Sequence, residues 1–152
     1  LREYSFSVND VMKEIIKELD PIAEDAEIKL TYNIKDDLQI KEANRSLIFS
    51  MLFNVVNNSL KNTPSGGNVL ISGIFNQKRF VVNISDTGRG MTEYQKSTIF
   101  SRFKTRDKNS GEGTGIGLAI AKTIADFHGI KVSVTSVLEK GTTFSFIFPE
   151  NS

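Results

Sequence analysis

The spacing of apolar residues predicts three helices in this chain. In each segment the apolar positions recur at intervals of three and four residues, which places them on one face of a helix. They are Val11, Ile15, Ile16 and Leu19 in the first segment, Leu47, Ile48, Met51, Leu52, Val55 and Val56 in the second, and Ala119, Ile120, Ile124 and Phe127 in the third. We therefore expect helices over residues 8–24, 44–61 and 118–127, the last with its four apolar side chains on the buried side.

Alternating apolar and polar residues predict six strands between and after these helices. The strands cover residues 28–34, 38–41, 69–75, 80–84, 130–137 and 142–148. Short polar turns suggest that consecutive strands pair: 28–34 with 38–41, 69–75 with 80–84, and 130–137 with 142–148. Because the strands outnumber the helices and pair mostly through hairpins, we expect an α/β (α+β) two-layer sandwich with one mixed sheet and about three helices on one face.

Composition narrows the class of protein. The 152 residues suit a single domain over 1–152, and the content of 39% hydrophobic and 24% charged residues is that of a globular chain. The formal net charge of +1 argues against a nucleic-acid-binding surface. The absence of cysteine excludes disulfides and thiol catalysis, and the single histidine, His128, excludes a multi-histidine metal site. No apolar run approaches the roughly 20 residues of a membrane span, and no signal peptide opens the chain. Because the first residue is Leu1 and not Met, we expect a piece of a longer protein.

A first polar cluster lies on the second predicted helix. Asn54 and Asn58 are four residues apart, and Lys61 and Asn62 follow within the next turn, so all four lie near one helix face. Amide oxygens are hard ligands that suit Mg²⁺, and a lysine can contact a phosphate as a point charge. By itself, however, the cluster is explained more simply as a polar helix face that points to solvent.

A second cluster, Asp86-Thr87-Gly88-Arg89-Gly90, follows the strand predicted over 80–84. Glycines after a strand allow the backbone to approach a ligand closely, and the Asp86 carboxylate could accept a hydrogen bond from an adenine amine. An ordinary turn accounts for the same residues equally well.

A third cluster, Gly111-Glu112-Gly113-Thr114-Gly115-Ile116-Gly117-Leu118, closes a long segment over 86–117 that has little periodicity. It matches neither a P-loop nor a dinucleotide-binding fingerprint. Backbone amides that lead into a helix can bind phosphates. We favour that interpretation over a flexible linker, because a linker does not normally lead into an apolar helix. Just before this cluster, residues 99–108 hold two phenylalanines and a local group of four basic residues.

Together, in this order and at this spacing, the clusters resemble the ATP-binding catalytic domain of sensor histidine kinases. The wider superfamily includes DNA gyrase, the mismatch-repair ATPases and a heat-shock chaperone. Residues 54–64 are similar to the family's N box, 86–91 to its first glycine box, 99–103 to its phenylalanine box and 113–118 to its second glycine box. The closing residues Gly141 to Phe144 and Pro149 also fit. The resemblance covers nearly the whole chain and implies a Bergerat-type ATP-binding fold.

The resemblance also implies a role for each matching residue. Asn58 would ligate Mg²⁺ with Asn54 nearby, and Asp86 would bind the adenine amine with Thr142 helping through water. Lys61, with Arg102 or another cation of a lid, would contact phosphates. The residues implied to bind ATP are Asn54, Asn58, Lys61, Asn62, Asp86, Gly88, Gly90, Met91, Gly113, Thr114, Gly115, Ile116, Gly117, Leu118 and Thr142, and those implied to act in catalysis are Asn54, Lys61 and Arg102.

The chain departs from the family pattern at three places, one of which is the segment around Leu47, which lacks the basic and glutamine residues often seen before the N box. Asn62 stands where many members carry an aromatic residue that packs against the base. Asn54 stands where the ATP-hydrolysing branches carry a glutamate that activates water, and an amide cannot act as that base. We therefore expect little intrinsic ATPase activity.

The implied function is transfer of the γ-phosphoryl group of Mg²⁺–ATP to a histidine on a separate, upstream helical dimerisation domain that this chain lacks. A response regulator receiver domain would act downstream. The only histidine, His128, matches a structural position of the family, so the chain alone should not phosphorylate itself. We expect a cytoplasmic domain with no nucleic-acid partner and no direct membrane contact, and anchoring of the full-length protein in the inner membrane stays open.

Two alternatives stay open at this point. A serine kinase of the anti-sigma-factor type belongs to the same superfamily, although that branch usually has a glutamate at the position of Asn54. An ATP-sensing module that closes a lid and recruits a partner would need no phosphoryl transfer. A histidine-bearing helical hairpin would distinguish them, because only the histidine kinase would label it.

Overall fold

The computed structural model describes residues 5–41, 43–100 and 114–150, without the side chains of 114–116. The elements in chain order are β1 (Ser5–Ser7), α1 (Val8–Asp25), β2 (Lys29–Ile34), β3 (Gln39–Lys41), α2 (Arg45–Lys61), β4 (Asn68–Asn76), β5 (Arg79–Asp86), α3 (Glu93–Thr98), α4 (Thr114–Phe127), β6 (Lys131–Val137) and β7 (Gly141–Ile147). Within these ranges no helix is long and apolar enough to cross a bilayer.

One five-stranded sheet, in the order β2-β4-β5-β7-β6, forms one layer of the molecule. β2 pairs with β4 in parallel and every other pair is antiparallel, so the sheet is mixed. Alternate residues of β4, β5 and β7 are buried against α1, α2 and α4, and this side of the sheet carries the core. The predicted two-layer α/β sandwich is confirmed.

Two of the three predicted strand pairings are confirmed. β4 pairs with β5 and β6 pairs with β7, as the hairpin pattern indicated. The predicted pairing of 28–34 with 38–41 is wrong. β3 pairs instead with the three-residue β1, in a separate two-stranded sheet, and β2 takes an edge of the main sheet beside β4. β4 lies far from β2 along the chain, and β1 has only three residues. The local alternation of apolar and polar residues therefore did not reveal these two pairings.

The helix predictions are confirmed for α1 and α2 within one residue at each end. α4 begins at Thr114, four residues earlier than predicted, so the end of the glycine-rich cluster is helical. The buried side predicted for α4 is partly wrong, because Ile120 is 41% exposed and Phe127 is 79% exposed. α4 faces its neighbours with Leu118, Ala121 and Ala125 as well as with Ile124, since small alanines allow it to approach α2.

The segment predicted as a loop over 86–117 contains a short helix, α3. Thr92 caps it by accepting a hydrogen bond from the N–H of Gln95, and the Gln95 side chain accepts one from the N–H of Thr92. This reciprocal capping box was the only sequence signal for α3, and the helix is too short for apolar periodicity to reveal it.

The N-terminus of α1 is held by a residue from the β2–β3 connection. Ser7 caps the helix by accepting from the N–H of Asp10 at 3.0 Å, and its hydroxyl donates to Asp37 at 2.6 Å. The other carboxylate oxygen of Asp37 accepts from the N–H of Asn9 at 3.0 Å. A carboxylate at this position also interacts favourably with the helix dipole. The cap therefore ties β1, α1 and the start of β3 together.

Candidate nucleotide-binding site

The candidate site forms around Asp86, the last residue of β5. The strand alternates, so Asp86 lies on the same side of the sheet as the core residues Val82 and Ile84, and only 7% of it is exposed. One carboxylate oxygen accepts a hydrogen bond from the N–H of Gly88 at 2.8 Å. Burial raises the pKa of Asp86, while hydrogen bonds from the backbone of Gly88 and Thr142 act in the opposite direction. A carboxylate buried next to a strand end can receive a donor from a ligand without competition from bulk water.

Glycines allow the backbone to close around this carboxylate. A Cβ at Gly88 would lie 2.3 Å from the carbonyl oxygen of Asn62, at the end of α2. Gly90 has φ +70°, and a Cβ there would meet the carbonyl of Val137. Gly141 has φ +135° and lies against the carbonyl of Asp86 itself. The glycines of the second cluster are therefore required by close backbone contacts, and a simple turn does not explain them.

A small hydroxyl network lies beside Asp86, on the neighbouring strands β7 and β6. Thr142, which pairs with Asp86 in the β5–β7 register, is 8% exposed and lies 2.8 Å, Oγ1 to Oγ, from Ser136. The Ser136 hydroxyl donates to the carbonyl of Gly141 at 3.0 Å and accepts from the N–H of Met91 at 2.8 Å. Met91 thus enters the site through its backbone, and Ser136 is a site residue that sequence analysis missed.

The last two turns of α2 supply the next wall. Asn58 is 6% exposed, and its Oδ1 is buried with no hydrogen-bond partner among the described residues. A buried amide oxygen that lacks a partner is costly, which indicates that a water or a cation completes it. Because amide oxygens are ligands that Mg²⁺ accepts, Asn58 fits the metal-ligand role predicted for it. Asn54 lies one turn earlier, and a Cβ at Gly117 of α4 would be 3.5 Å from its Cγ.

The rim of the site carries the exposed polar residues of the first two clusters. Lys61 is exposed in the last turn of α2. Asn62 caps that helix, and its Oδ1 accepts from the guanidinium of Arg89 at 3.2 Å. Asn62, which departs from the family pattern, is therefore hydrogen-bonded to Arg89 of the second cluster. Sequence analysis did not single out Arg89.

The structure places Gly88 and Arg89 of the second cluster against Asn62 of the first, and Thr142 beside Asp86. Gly117 and Leu118 are in the first turns of α4, and the Leu118 side chain is fully buried in the core. The predicted residues Arg102 and Gly113 lie outside the described residues, as do the side chains of Thr114 and Ile116. Gly115 is described only as part of α4.

His128 lies away from this site, just after the C-terminal end of α4. Its Nδ1 is 2.9 Å from the carbonyl oxygen of Ile124, in the last turn of that helix. This contact agrees with the structural role expected for the only histidine of the chain.

The fold shows the class of protein to which the chain is similar. The chain superposes on the catalytic domain of histidine kinase ThkA with a TM-score of 0.85 and 26% identity, over 100% of both chains. It superposes on the mycobacterial sensor histidine kinase MprB with a TM-score of 0.85 over 97% of this chain and 99% of that one, and at 22% identity this similarity concerns the fold alone.

The sequence places the chain in one family. Residues 43–152 match the family described as histidine kinase-, DNA gyrase B- and HSP90-like ATPase, and the chain belongs to it. The chain is 33% identical over 136 residues to sensor protein IrlS of Burkholderia pseudomallei. This alignment covers 88% of this chain and 29% of that protein. It is 30% identical over 152 residues to the adaptive-response sensory kinase SasA of Synechococcus sp. strain JA-3-3Ab. This alignment covers 98% of this chain and 40% of that protein.

The chain is thus an ATP-binding catalytic domain of the histidine kinase type, and the predicted recognition is confirmed. It spans about a third of the length of these curated relatives.

Proposed function

We propose that this domain binds Mg²⁺–ATP in the site around Asp86 and donates the γ-phosphoryl group to a histidine on a separate helical dimerisation domain. The observation that carries the proposal is the pair of buried polar groups, the Asp86 carboxylate at the end of β5 and the Asn58 amide, whose Oδ1 has no hydrogen-bond partner among the described residues. One is an acceptor suited to a base amine and the other a ligand suited to a hard cation.

The base end of the nucleotide would contact Asp86 directly. The charged carboxylate has only lone pairs to offer, so it selects a base with an amine at that point. Gly88 and Gly90 let the backbone lie against the base, and Thr142 presents a further acceptor. Asn62 and Arg89 would border the open side of the pocket, where many relatives have an aromatic residue.

The phosphate end would lie toward Asn54, Asn58 and the start of α4. When bound, Mg²⁺ offsets the negative charge of the phosphates. Asn58 would hold the ion through its amide oxygen, with Asn54 next to it, and Lys61 would contribute a positive charge. We assign Arg102 and the glycines at 113, 115 and 117 to the phosphate side on the strength of the sequence resemblance. Catalysis by such a site consists mainly of positioning and electrostatic stabilisation.

The relatives support a proposal about the partners. Histidine kinase ThkA has been solved in complex with the response regulator protein TrrA. We infer that the full-length protein holds a phosphoacceptor helical domain upstream of this chain and delivers its phosphoryl group to a receiver domain. We also infer that this domain works in the cytoplasm.

A phosphotransfer assay tests the proposal. The chain is mixed with γ-radiolabelled Mg²⁺–ATP and with the upstream helical domain of its own protein, either with its histidine or with that histidine replaced by Gln. We expect label on the histidine-bearing partner only, lost in acid and stable in base as phosphohistidine is. The chain alone should take up no label, and Asp86→Asn should abolish transfer while the exposed Asp20→Asn should not.

Other outcomes identify the alternatives. Acid-stable label on a protein substrate would favour a serine kinase. Tight Mg²⁺–ATP binding without transfer to any histidine-bearing partner would favour an ATP-sensing module. Stable label on His128 of the isolated chain would overturn the assignment of a separate acceptor.

A further inference from the structure

The hydroxyl oxygen of Ser136, on the core-facing side of β6, has three polar neighbours. It accepts a hydrogen bond from the N–H of Met91 at 2.8 Å. It also lies 3.0 Å from the carbonyl oxygen of Gly141 and 2.8 Å from the hydroxyl oxygen of Thr142. The three neighbours differ in kind, because the first can only donate, the second can only accept and the third can do either. All three distances are those of hydrogen bonds.

Only one arrangement of the hydrogens makes all three contacts hydrogen bonds at once. A serine hydroxyl has one hydrogen and two lone pairs. The carbonyl of Gly141 has no hydrogen to give, so Ser136 donates to it. The two lone pairs of Ser136 then accept from the N–H of Met91 and from the hydroxyl of Thr142. The hydrogen of Thr142 is therefore directed to Ser136, and its oxygen has only lone pairs for any other partner.

The β6–β7 turn and the chain after β5 are packed together around Ser136. The N–H of Glu139 donates to the carbonyl oxygen of Arg89, and a Cβ at Gly90 would meet the carbonyl of Val137. Because backbone atoms of both segments are in contact, the neighbours of the Ser136 hydroxyl are fixed by the fold. The orientation of the hydroxyl is fixed with them.

Thr142 carries this orientation to Asp86. The two residues pair directly in the β5–β7 register, and both side chains are more than nine-tenths buried on the helix side of the sheet. Side chains that face each other across an antiparallel pair have Cβ atoms about 5 Å apart. A ligand group that bonds to the Asp86 carboxylate is therefore within reach of the Thr142 hydroxyl, and both residues offer it acceptors.

Two adjacent acceptors discriminate between bases. An exocyclic amine has two hydrogens and can donate to both. A carbonyl oxygen in the same place would face only lone pairs in a buried site, which costs affinity. If the Thr142 hydroxyl were free to turn, its hydrogen could bond to that carbonyl oxygen, and the discrimination would weaken.

We propose that Ser136 is a positioning residue that holds the Thr142 hydroxyl as an acceptor, and so strengthens the preference of the site for a base with an amine over one with a carbonyl oxygen. The inference rests on the proposed function, since it concerns the base end of the same site. Ser136 acts through Thr142, and it lies outside the four boxes that carry the family resemblance.

Calorimetric titrations of Ser136→Ala with Mg²⁺–ATP and Mg²⁺–ITP test the proposal. ITP has a carbonyl oxygen in place of the amine and an added hydrogen on N1. Because the variant releases the hydrogen of Thr142, the ratio of ATP to ITP affinity should fall by roughly five- to tenfold, as expected for one hydrogen bond gained by ITP. Equal losses of both affinities would mean that Ser136 only supports the turn, and a higher ratio would place Thr142 at N1. Either result would overturn the proposal.

Two further serine variants serve as controls. Ser133→Ala removes an exposed hydroxyl from the other side of the same strand and should keep the wild-type ratio. The conservative Ser136→Thr retains a hydroxyl and should keep it as well. A ratio that falls as far in Ser133→Ala as in Ser136→Ala would contradict a specific role for Ser136.

Thr142→Val tests the same orientation with Ser136 in place. Valine has the shape of threonine without the hydroxyl, so the amine of ATP loses an acceptor while ITP loses no favourable contact. The ratio should fall, and adding Ser136→Ala should not lower it further. Equal losses for both nucleotides would show that Thr142 donates as readily as it accepts, which would overturn the proposal and leave the proposed function intact. A wild-type chain that binds neither nucleotide would overturn both.

Discussion

At the scale of single residues, the candidate site is built from polar groups that the fold buries at a cost. Asp86 and Thr142 occupy helix-facing positions where β5 and β7 otherwise hold aromatic and aliphatic side chains. Asn58 and Ser59 interrupt the buried stripe of α2 in the same way. Buried polar atoms without partners lower stability. Their burial is explained if a ligand completes them.

Burial of the Asp86 carboxylate lowers the stability of the fold, and this predicts that the free energy of unfolding depends on pH. Because burial raises its pKa, the folded chain binds this proton more tightly than the unfolded chain, whose carboxyl titrates near 3.8. As the pH rises through 3.8 and then through the higher pKa of the folded chain, Asp86 therefore lowers the free energy of unfolding. Asp86→Asn should be more stable than the wild type in urea at neutral pH, and the difference should shrink in acid.

The exposed Asp20→Asn serves as the control for the Asp86 prediction and should show no such pH-dependent gain. A ligand-free Asp86→Asn chain that is less stable than the wild type at neutral pH would contradict the prediction.

The amide side chain of Asn54 predicts that the isolated chain hydrolyses ATP slowly. An amide at this position cannot take a proton from water, so phosphate release by the isolated chain should stay well below about 1 s⁻¹, an ordinary enzyme turnover. A coupled phosphate-release assay with Mg²⁺–ATP measures this rate. Asn54→Glu restores a carboxylate there and should hydrolyse faster. Steady-state turnover near 1 s⁻¹ by the wild type would show that another group activates water.

At the scale of elements, the short β1 and β3 strands matter because they fix the start of α1. Ser7 and Asp37 together satisfy the N–H groups of Asn9 and Asp10, and the two side chains also bond to each other. The β1–β3 pairing brings them together across thirty residues of sequence. Strand β1 is thereby attached to α1 and to the β2–β3 connection.

This cap predicts a coupled loss of stability. Ser7→Ala and Asp37→Ala should each lower the free energy of unfolding by about 1 kcal/mol, the usual cost of removing an N-cap. The double variant should lose less than the sum, because each single change already breaks the bond between the two residues. Urea unfolding of the four chains measures this. Strictly additive losses would indicate that the two side chains act independently.

At the scale of the whole molecule, the pocket joins parts of the chain that are distant in sequence. It is formed by the C-terminal turns of α2, the end of β5, the start of β7 and the first turns of α4. A nucleotide that contacts all of them should stabilise the entire fold, since it binds only when they are assembled.

Thermal melts test this coupling. At a concentration 100 times its Kd, a ligand adds about 2.7 kcal/mol, which for a domain of this size raises Tm by roughly 5–11 °C. We expect this shift with Mg²⁺–ATP and Mg²⁺–ADP, little shift with Mg²⁺–GTP, and none with any of them in Asp86→Asn. No shift with any nucleotide would mean that the isolated domain does not form the pocket.

The amino-acid sequence by itself determined the helices α1 and α2, the two long hairpins and the two-layer class. Those elements are set by local periodicity, because a strand or helix that buries one side must repeat apolar residues at its own spacing. The order of the polar clusters also identified the family, and the position of Asp86 at a strand end came from the sequence alone.

Tertiary structure decided what local pattern cannot encode. The parallel β2–β4 pair and the β1–β3 sheet depend on contacts between distant segments, and the buried side of α4 depends on how closely its alanines approach α2. The necessity of Gly88 and Gly141 became visible only when their neighbours were in place. The backbone segments that these glycines contact lie far away along the chain, so no local pattern of residues can reveal the contacts.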